Sequence, residues 1–162
     1  MRRRWPATLV LLSLSLACRE TAKRQEPERV QPSASASPAA THAHTAPHGG
    51  TLVELGEEFA HVELVLDPVV GRLTAFILDG EAERSVRIAQ PAIAMTVSTE
   101  DGRSVRVELQ AAAQLLTGET RGDCSQFTGV ASALMSTRLS SGSIENLTVR
   151  GLTFHDIAFG DG

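Results

Sequence analysis

Apolar and polar residues alternate along most of the chain beyond residue 48, which is the pattern of β-strands with one buried face. In residues 59–67 the apolar positions run in steps of two from Val62 to Leu66, while His61 and Glu63 fall on the opposite face. This segment is therefore predicted to be a strand with one core-facing side and one polar side.

The same alternation recurs in later segments of the chain. Residues 72–79 are apolar on both faces, which predicts a strand in the middle of a sheet. Residues 92–98 and 103–110 alternate on either side of Glu-Asp-Gly at 100–102, a turn signal that predicts a two-stranded hairpin. A further short strand is predicted at residues 125–128.

The last part of the chain mixes two signals. Residues 132–142 carry apolar residues at helical spacing and end at Gly142, which predicts a short helix or helical turn. Residues 146–159 predict two short strands, or one bent strand broken at Gly151. Short strands separated by turns at these intervals indicate an all-β fold, an antiparallel immunoglobulin-like β-sandwich or a small barrel, with one short helical turn.

The N-terminus has the charged, apolar and small-residue order of a secretory signal. Arginines occupy positions 2–4, a mostly apolar run covers 7–16, and the small Ala17 precedes Cys18. This order resembles the lipobox of bacterial lipoproteins, in which the cysteine receives a diacylglycerol before cleavage on its amino side. The lipobox usually has Leu three residues before the cysteine, where this chain has Ser15.

We therefore predict that residues 1–17 are a lipoprotein signal peptide and that acylated Cys18 anchors the chain to membrane lipid. An ordinary signal peptide cleaved near Ala17 is the alternative, whereas an uncleaved anchor would need roughly 20 apolar residues. Arg19, standing where an aspartate would retain the protein in the inner membrane by the enterobacterial rule, favours the outer membrane. The predicted location is the extracytoplasmic side of the cell envelope.

Composition divides the rest of the chain into a tether and one domain. Residues 18–47 are charged at first and then rich in Ala, Ser, Pro and His, without apolar periodicity, so they are predicted to be a disordered linker. Residues 48–162 form the predicted β domain. Acylation of Cys18 would leave Cys124 alone, as a buried apolar residue or else as a reactive thiol or intermolecular bridge.

Charge excludes one class of partner. The chain has a net charge of −4, and removal of residues 1–17 takes away three arginines, leaving 12 basic against 19 acidic residues and a net charge of −7. Nucleic-acid binding needs clustered Lys and Arg, so no nucleic-acid partner is expected. An acidic surface suits cation binding, although it also serves solubility alone.

Histidines supply the candidate ligands. His42 and His44 stand two residues apart, so in an extended chain their imidazoles project to the same side. Imidazole is a suitable ligand for Cu, Zn and Ni. The candidate metal ligands are His42, His44, His48, His61 and Glu63, with Glu54, Glu57 and Glu58 as carboxylates that could supplement them. The hypothesis is a divalent transition metal ion in an open, exposed site, because paired Cys and His at the spacing of a closed zinc site are absent.

Each of these histidines also has a structural interpretation. His42 and His44 lie in a low-complexity segment and are solvated in that interpretation. His48, followed by two glycines, is then a turn residue where the tether becomes strand, and His61 faces the polar side of its strand beside Glu63.

Catalysis has no signature in this chain. It lacks G-x-S-x-G, H-E-x-x-H, C-x-x-C and a glycine-rich phosphate loop. It has no Tyr, and its single Trp, Trp5, lies in the predicted signal peptide. The protein is therefore predicted not to be an enzyme.

Residues 48–81 are similar to small, uncharacterised bacterial lipoproteins and to the extra N-terminal domains of some heavy-metal efflux periplasmic adaptor proteins. These begin with His-Gly-Gly, followed by E-L-G-x-x-x-x-H-x-E and V-x-x-Y-x-L-D. The matching residues here are His48, Gly49, Gly50, Glu54, Leu55, Gly56, His61, Glu63, Leu78 and Asp79, with Phe76 in place of Tyr. The resemblance implies a compact β domain, metal handling through His48, His61 and Glu63, and envelope or efflux proteins as partners.

The sequence thus predicts a membrane-anchored extracytoplasmic binding lipoprotein, with a transition metal as the leading ligand. A structural or protein-interaction module of the envelope that binds no metal is the alternative.

Overall fold

A computed structural model describes residues 44–160 as a β domain. It contains a single 3₁₀ turn, Ser132–Leu134, and eight strands. The strands are β1 (Thr51–Leu55), β2 (Ala60–Asp67), β3 (Arg72–Asp79), β4 (Ala92–Thr99), β5 (Ser104–Ala111), β6 (Gln126–Val130), β7 (Leu139–Val149) and β8 (Leu152–Gly160). The predicted signal peptide, Cys18 and the tether up to residue 43, including His42, lie outside the described residues.

All eight strands belong to one antiparallel sheet with the order β1-β2-β3-β6-β5-β4-β7-β8. The sheet curls until its edge strands, β1 and β8, approach each other without pairing, so the domain is nearly a closed barrel. The all-β, antiparallel class predicted from the alternation is confirmed.

The barrel interior holds the apolar face of every strand. In β2 the inward residues Val62 and Leu64 are fully buried, as the alternation predicts. The largest fully buried side chains are Phe127, Leu55, Leu64, Leu73, Ile77, Leu78, Ile93, Met95, Leu109, Leu134, Ile144 and Leu147. Cys124 is also fully buried and is a free thiol, which agrees with its interpretation as a small apolar residue.

The strand ends define two ends of the barrel. At one end lie the β1–β2 and β7–β8 turns, the long β5–β6 connection, and His44, where the described chain begins beside the start of β2. We call this the tether end. The β2–β3 turn, the β4–β5 hairpin turn and the 3₁₀ turn lie at the opposite end, which we call the far end.

The strand predictions at 59–67, 72–79 and the 92–110 hairpin are confirmed, and β3 has the predicted bounds. The predicted helical turn at 132–142 is confirmed only for Ser132–Leu134. Ser136 adopts φ 57°, outside helical geometry, and the chain enters β7 at Leu139. In the described part of the chain, no helix has the length and apolarity required to cross a membrane.

Candidate functional site

The chain from His44 to Gly50 lies across the outer face of β2 and covers it. Gly50 makes this close crossing possible, because a Cβ at that position would lie 2.4 Å from the carbonyl oxygen of Leu64. Gly49 adopts φ 72°, a conformation that favours glycine. The His-Gly-Gly sequence therefore lets the chain fold back from this crossing into β1.

Glu63 is the polar centre of this crossing. Its side chain points to the outer face of β2, yet the covering segment leaves it 0% exposed. Its Oε1 accepts hydrogen bonds from the backbone N–H groups of His48 at 2.8 Å and Gly50 at 2.9 Å, and its Oε2 lies 2.7 Å from His48 Nδ1. A buried carboxylate is tolerated when it is bonded in this way. We call Glu63, His48 and Gly50 the Glu63 clamp.

His48 is fixed a second time by an aromatic contact. Its ring stacks on Phe76 of β3, with centroids 3.8 Å apart and planes inclined by 8°. Phe76 stands opposite Glu63 in the β2–β3 register, so one strand pair supplies both contacts. The structural interpretation of His48, as the residue that fixes the chain before β1, is supported by this geometry.

His44 and His61 form a second pair, at the tether end. Their ring centroids are 4.9 Å apart with planes at 63°. His61 is 4% exposed, and its Nδ1 lies 3.2 Å from the backbone oxygen of Asp79. His44 Nε2 is buried and has no hydrogen-bond partner. The Oε1 atom of Glu58 is 3.6 Å from this nitrogen, beyond hydrogen-bond distance.

Two acidic residues border this histidine pair. Glu58 lies in the β1–β2 turn with φ 57°, and its half-exposed side chain leans toward His44. Asp79 ends β3. Slight desolvation would raise the pKa of its carboxyl, but the bound N–H groups of Arg84 and Glu83 outweigh it and hold that pKa below 3.8. The carboxylate of Glu58 therefore lies beside His44, whereas Asp79 contacts His61 only through its backbone carbonyl.

The predicted ligands are thus distributed over two adjacent pairs. His48 and Glu63 bind each other, whereas His61 packs against His44, and both pairs lie on the outer face of β2. Within residues 44–160, no group of three or more His, Cys, Asp and Glu side chains is arranged to hold a metal ion. The other described histidine, His155, is exposed on β8.

A groove of about 550 Å³ adjoins the Glu63 clamp on the outer face of the sheet. His48 and Phe76 line one part of it, and Gln114 and Leu116 of the β5–β6 connection line another. Arg87, which also lines it, already binds Asp123 at 3.0 Å and the carbonyl of Thr117. Its guanidinium therefore holds the connection in place.

Sequence reasoning did not identify two partners in this region, Phe76 and the Asp79 carbonyl. Phe76 lies opposite Glu63 only because of the strand register, and a carbonyl contact leaves no mark in a sequence. The alternation did place His61 and Glu63 on one face of β2. That shared face is the sequence signal that both residues belong to one region of the surface. No family profile, curated protein or solved structure matched this chain.

Proposed function

We propose that this chain is a non-catalytic, lipid-anchored binding protein of the cell envelope, with its anchor on Cys18, and that its β domain binds a divalent transition metal ion through His44 and His61. The observation that carries the metal proposal is the buried Nε2 of His44, which has no hydrogen-bond partner and lies beside a second buried imidazole. A buried polar atom without a partner is costly, and bound metal would satisfy it.

The environment of His61 supports the same role. When Nδ1 of an imidazole donates to a carbonyl, the proton is held there and Nε2 keeps the lone pair that a metal binds. Nδ1 of His61 faces the Asp79 carbonyl at 3.2 Å. His61 is thus oriented as a metal-ligating histidine is, with Nε2 as the donor atom.

The spacing of the two rings also suits a shared ion. Two imidazoles on one tetrahedral zinc ion, with nitrogens at about 2.0 Å from the metal, have ring centres about 5 Å apart. The centroids of His44 and His61 are 4.9 Å apart. A shared ion would require both rings to turn so that their Nε2 atoms point at one position between them.

Glu58 is the third ligand in this proposal. Its carboxylate is 45% exposed and 3.6 Å from His44 Nε2, so it can rotate toward an ion between the rings without leaving a packed position. Water would complete the coordination, as in other open sites. His48 and Glu63 are excluded from this ligand set, because each is already bonded to the other.

Calorimetric titration of the mature chain with Cu(II), Zn(II) and Ni(II) tests the metal proposal. His44→Phe keeps an aromatic ring against His61 but removes the ligand nitrogen, and we expect it to weaken binding at least about tenfold. His61→Gln should do the same. His155→Phe removes an exposed histidine from β8 and should leave the affinity unchanged.

The His42→Ala variant separates this site from the tether. Affinity that survives His44→Phe and His61→Gln but is lost in His42→Ala would contradict the proposed site and assign binding to the tether. Absence of binding by the unsubstituted chain would contradict the metal role altogether.

The anchor has its own test. Cells supplied with a clickable fatty acid should label the unsubstituted protein, and Cys18→Ser should abolish both the label and the membrane fractionation. A labelled Cys18→Ser variant, or an unlabelled parent protein found in the soluble fraction, would contradict lipidation.

The second candidate function is that of a protein-interaction module of the envelope. It is favoured by exposed apolar residues at the far end, where Val69, Val70, Val130 and Met135 surround the 3₁₀ turn. An apolar cluster of this kind is typical of contact surfaces. A photo-crosslinker at Val130 should then give a discrete adduct in cells, whereas one at exposed Glu108, on the barrel wall, should not.

A further inference from the structure

Two adjacent exposed leucines lie in the β5–β6 connection at the tether end, and one of them, Leu116, also borders the groove beside the Glu63 clamp. Leu115 is 97% exposed and Leu116 is fully exposed, both in the connection between β5 and β6. Leu152, which follows the β7–β8 turn at the same end, is 52% exposed. Large apolar side chains held in water at one end of a domain indicate a surface that is covered in use.

Hydrogen bonds fix the backbone that carries the leucines. The N–H of Gly118 donates to the Leu115 carbonyl at 3.4 Å, and the N–H of Glu119 donates to the Gln114 carbonyl at 3.0 Å. We call residues 114–119 the leucine loop.

The base of the leucine loop is anchored to the barrel as well. Glu119 is buried and accepts hydrogen bonds from both the backbone and the hydroxyl of Ser125, while Arg87 donates to the Thr117 carbonyl. The exposed position of the leucine loop is therefore fixed by its contacts with the barrel.

We infer that the leucine loop inserts into the surface of the lipid bilayer and orients the domain with its tether end against the membrane. This inference rests on the proposed lipid anchor at Cys18. The chain that carries the anchor joins the domain at His44, and His44 and the leucine loop lie at the same end of the barrel. The anchor therefore holds these leucines close to the apolar interior of the bilayer.

An anchored domain needs only weak contacts to become oriented. Attachment through a linker turns the second contact into an intramolecular event, at an effective concentration in the millimolar range for short flexible linkers. Two exposed leucines alone would not hold a free protein on a bilayer, but they can select one orientation of a domain that is already attached.

Charge identifies the kind of bilayer. The net charge of −7 after loss of residues 1–17 opposes an anionic surface, so insertion should depend on apolar contact and be strongest on neutral lipid. This separates the leucine loop from a basic membrane-binding patch, which would show the opposite preference.

Fluorescence of the lipidated full-length protein in phosphatidylcholine–phosphatidylethanolamine vesicles tests the inference. An environment-sensitive probe is attached at Leu116→Cys, with Val69→Cys at the far end as the matched exposed control. Cys124 is buried, and the Cys18 sulfur is occupied by lipid, so the introduced thiol alone reacts. We expect a blue shift and at least twofold quenching by lipid-borne quencher at 116, and neither at 69.

The outcomes separate the two proposals. Failure of the protein to float with vesicles would overturn the anchor. Flotation with an unshifted probe at 116, or with equal shifts at 116 and 69, would overturn membrane insertion while the anchor stands. A shift at 116 that needs no vesicles and grows with protein concentration would assign the loop to a second copy and overturn the inference.

An independent variant checks that the probe itself does not drive insertion. With the probe moved to Leu152→Cys, the blue shift on vesicles should be present in the parent and lost in Leu115→Ser/Leu116→Ser. The substituted side chains are exposed, so this variant should unfold at the same temperature as its parent. A shift that persists in the double variant would overturn the role of the leucine loop.

Discussion

At the scale of single residues, the domain depends on a carboxylate that is buried against its own preference for water. Glu63 is tolerated because two backbone N–H groups and one imidazole nitrogen surround it. A sequence shows only that a glutamate sits on the outer face of a strand. It does not show that a segment 15 residues earlier folds over that glutamate.

Replacing Glu63 with Gln should destabilise the domain. The amide keeps one oxygen for the backbone N–H groups but loses the charge and places an NH₂ group against His48. We expect the free energy of unfolding to fall by about 2 kcal/mol, the scale of a hydrogen bond to a charged group. Urea denaturation measures this, with the exposed Glu108→Gln as the control that should change little. Equal effects at the two positions would contradict the Glu63 clamp.

Asp101, in the β4–β5 turn, should titrate unusually low. Its hydrogen bond with the Arg103 side chain, and next its bond from the Thr99 hydroxyl, lower its pKa from 3.8 to about 2. Because the folded-state pKa is depressed, its stabilising contribution is present above 3.8 and is lost as the pH falls through about 2.

Side-chain carbon NMR through an acid titration tests the origin of this depression. Arg103→Gln should raise the pKa of Asp101 toward its ordinary value, whereas Arg106→Gln, which removes an ion pair to Glu145, should not. A pKa that stays near 2 in Arg103→Gln would contradict this origin.

At the scale of elements, the sequence predicted the strands well and the 132–142 segment poorly, and the two outcomes have different physical causes. A strand with one buried face has an apolar residue at every second position, so β2 and the β4–β5 hairpin show their period directly. The helical spacing of Leu134, Met135 and Leu139 has another cause. Leu134 closes the far end of the barrel, Met135 points outward, and Leu139 begins a strand.

Leu134 should therefore matter far more than its neighbour. Leu134→Ala removes a fully buried side chain and should lower the free energy of unfolding by about 3 kcal/mol. Met135→Ala, at a position 44% exposed, should cost less than about 1 kcal/mol. Thermal and urea denaturation of the two variants give the comparison, and similar losses would contradict the closing role of Leu134.

At the scale of the whole molecule, the candidate site is made by a crossing that no local pattern encodes. His61 and Glu63 share a face by simple alternation, which the sequence revealed. His44 contacts His61 and His48 binds Glu63 only because residues 44–50 pass over β2. Low-complexity composition extends through residue 47, so no local pattern indicates that the residues from His44 onward contact β2.

Shortening the chain tests whether this segment belongs to the domain. A protein beginning at Thr41 keeps every described contact of the crossing segment, so it should be as stable as the full chain. One beginning at Gly49 loses the His48 contacts and the cover over His61, and we expect its free energy of unfolding to fall by about 3 kcal/mol. Equal urea midpoints for the two would show that the crossing segment contributes nothing to stability.

The Glu63 clamp also gives the domain a mechanical property. Tension applied to the chain before His44 first acts on the contact between His44 and His61. It then acts on the bonds between His48 and Glu63 of β2, before it reaches β1. Those few bonds are far fewer than the bonds of a strand ladder, so they should part at lower force and release a short length of chain while the ladders stay intact. The Glu63 clamp should therefore yield before β1 does, so that tension on the preceding chain is released before it reaches the edge strand of the barrel.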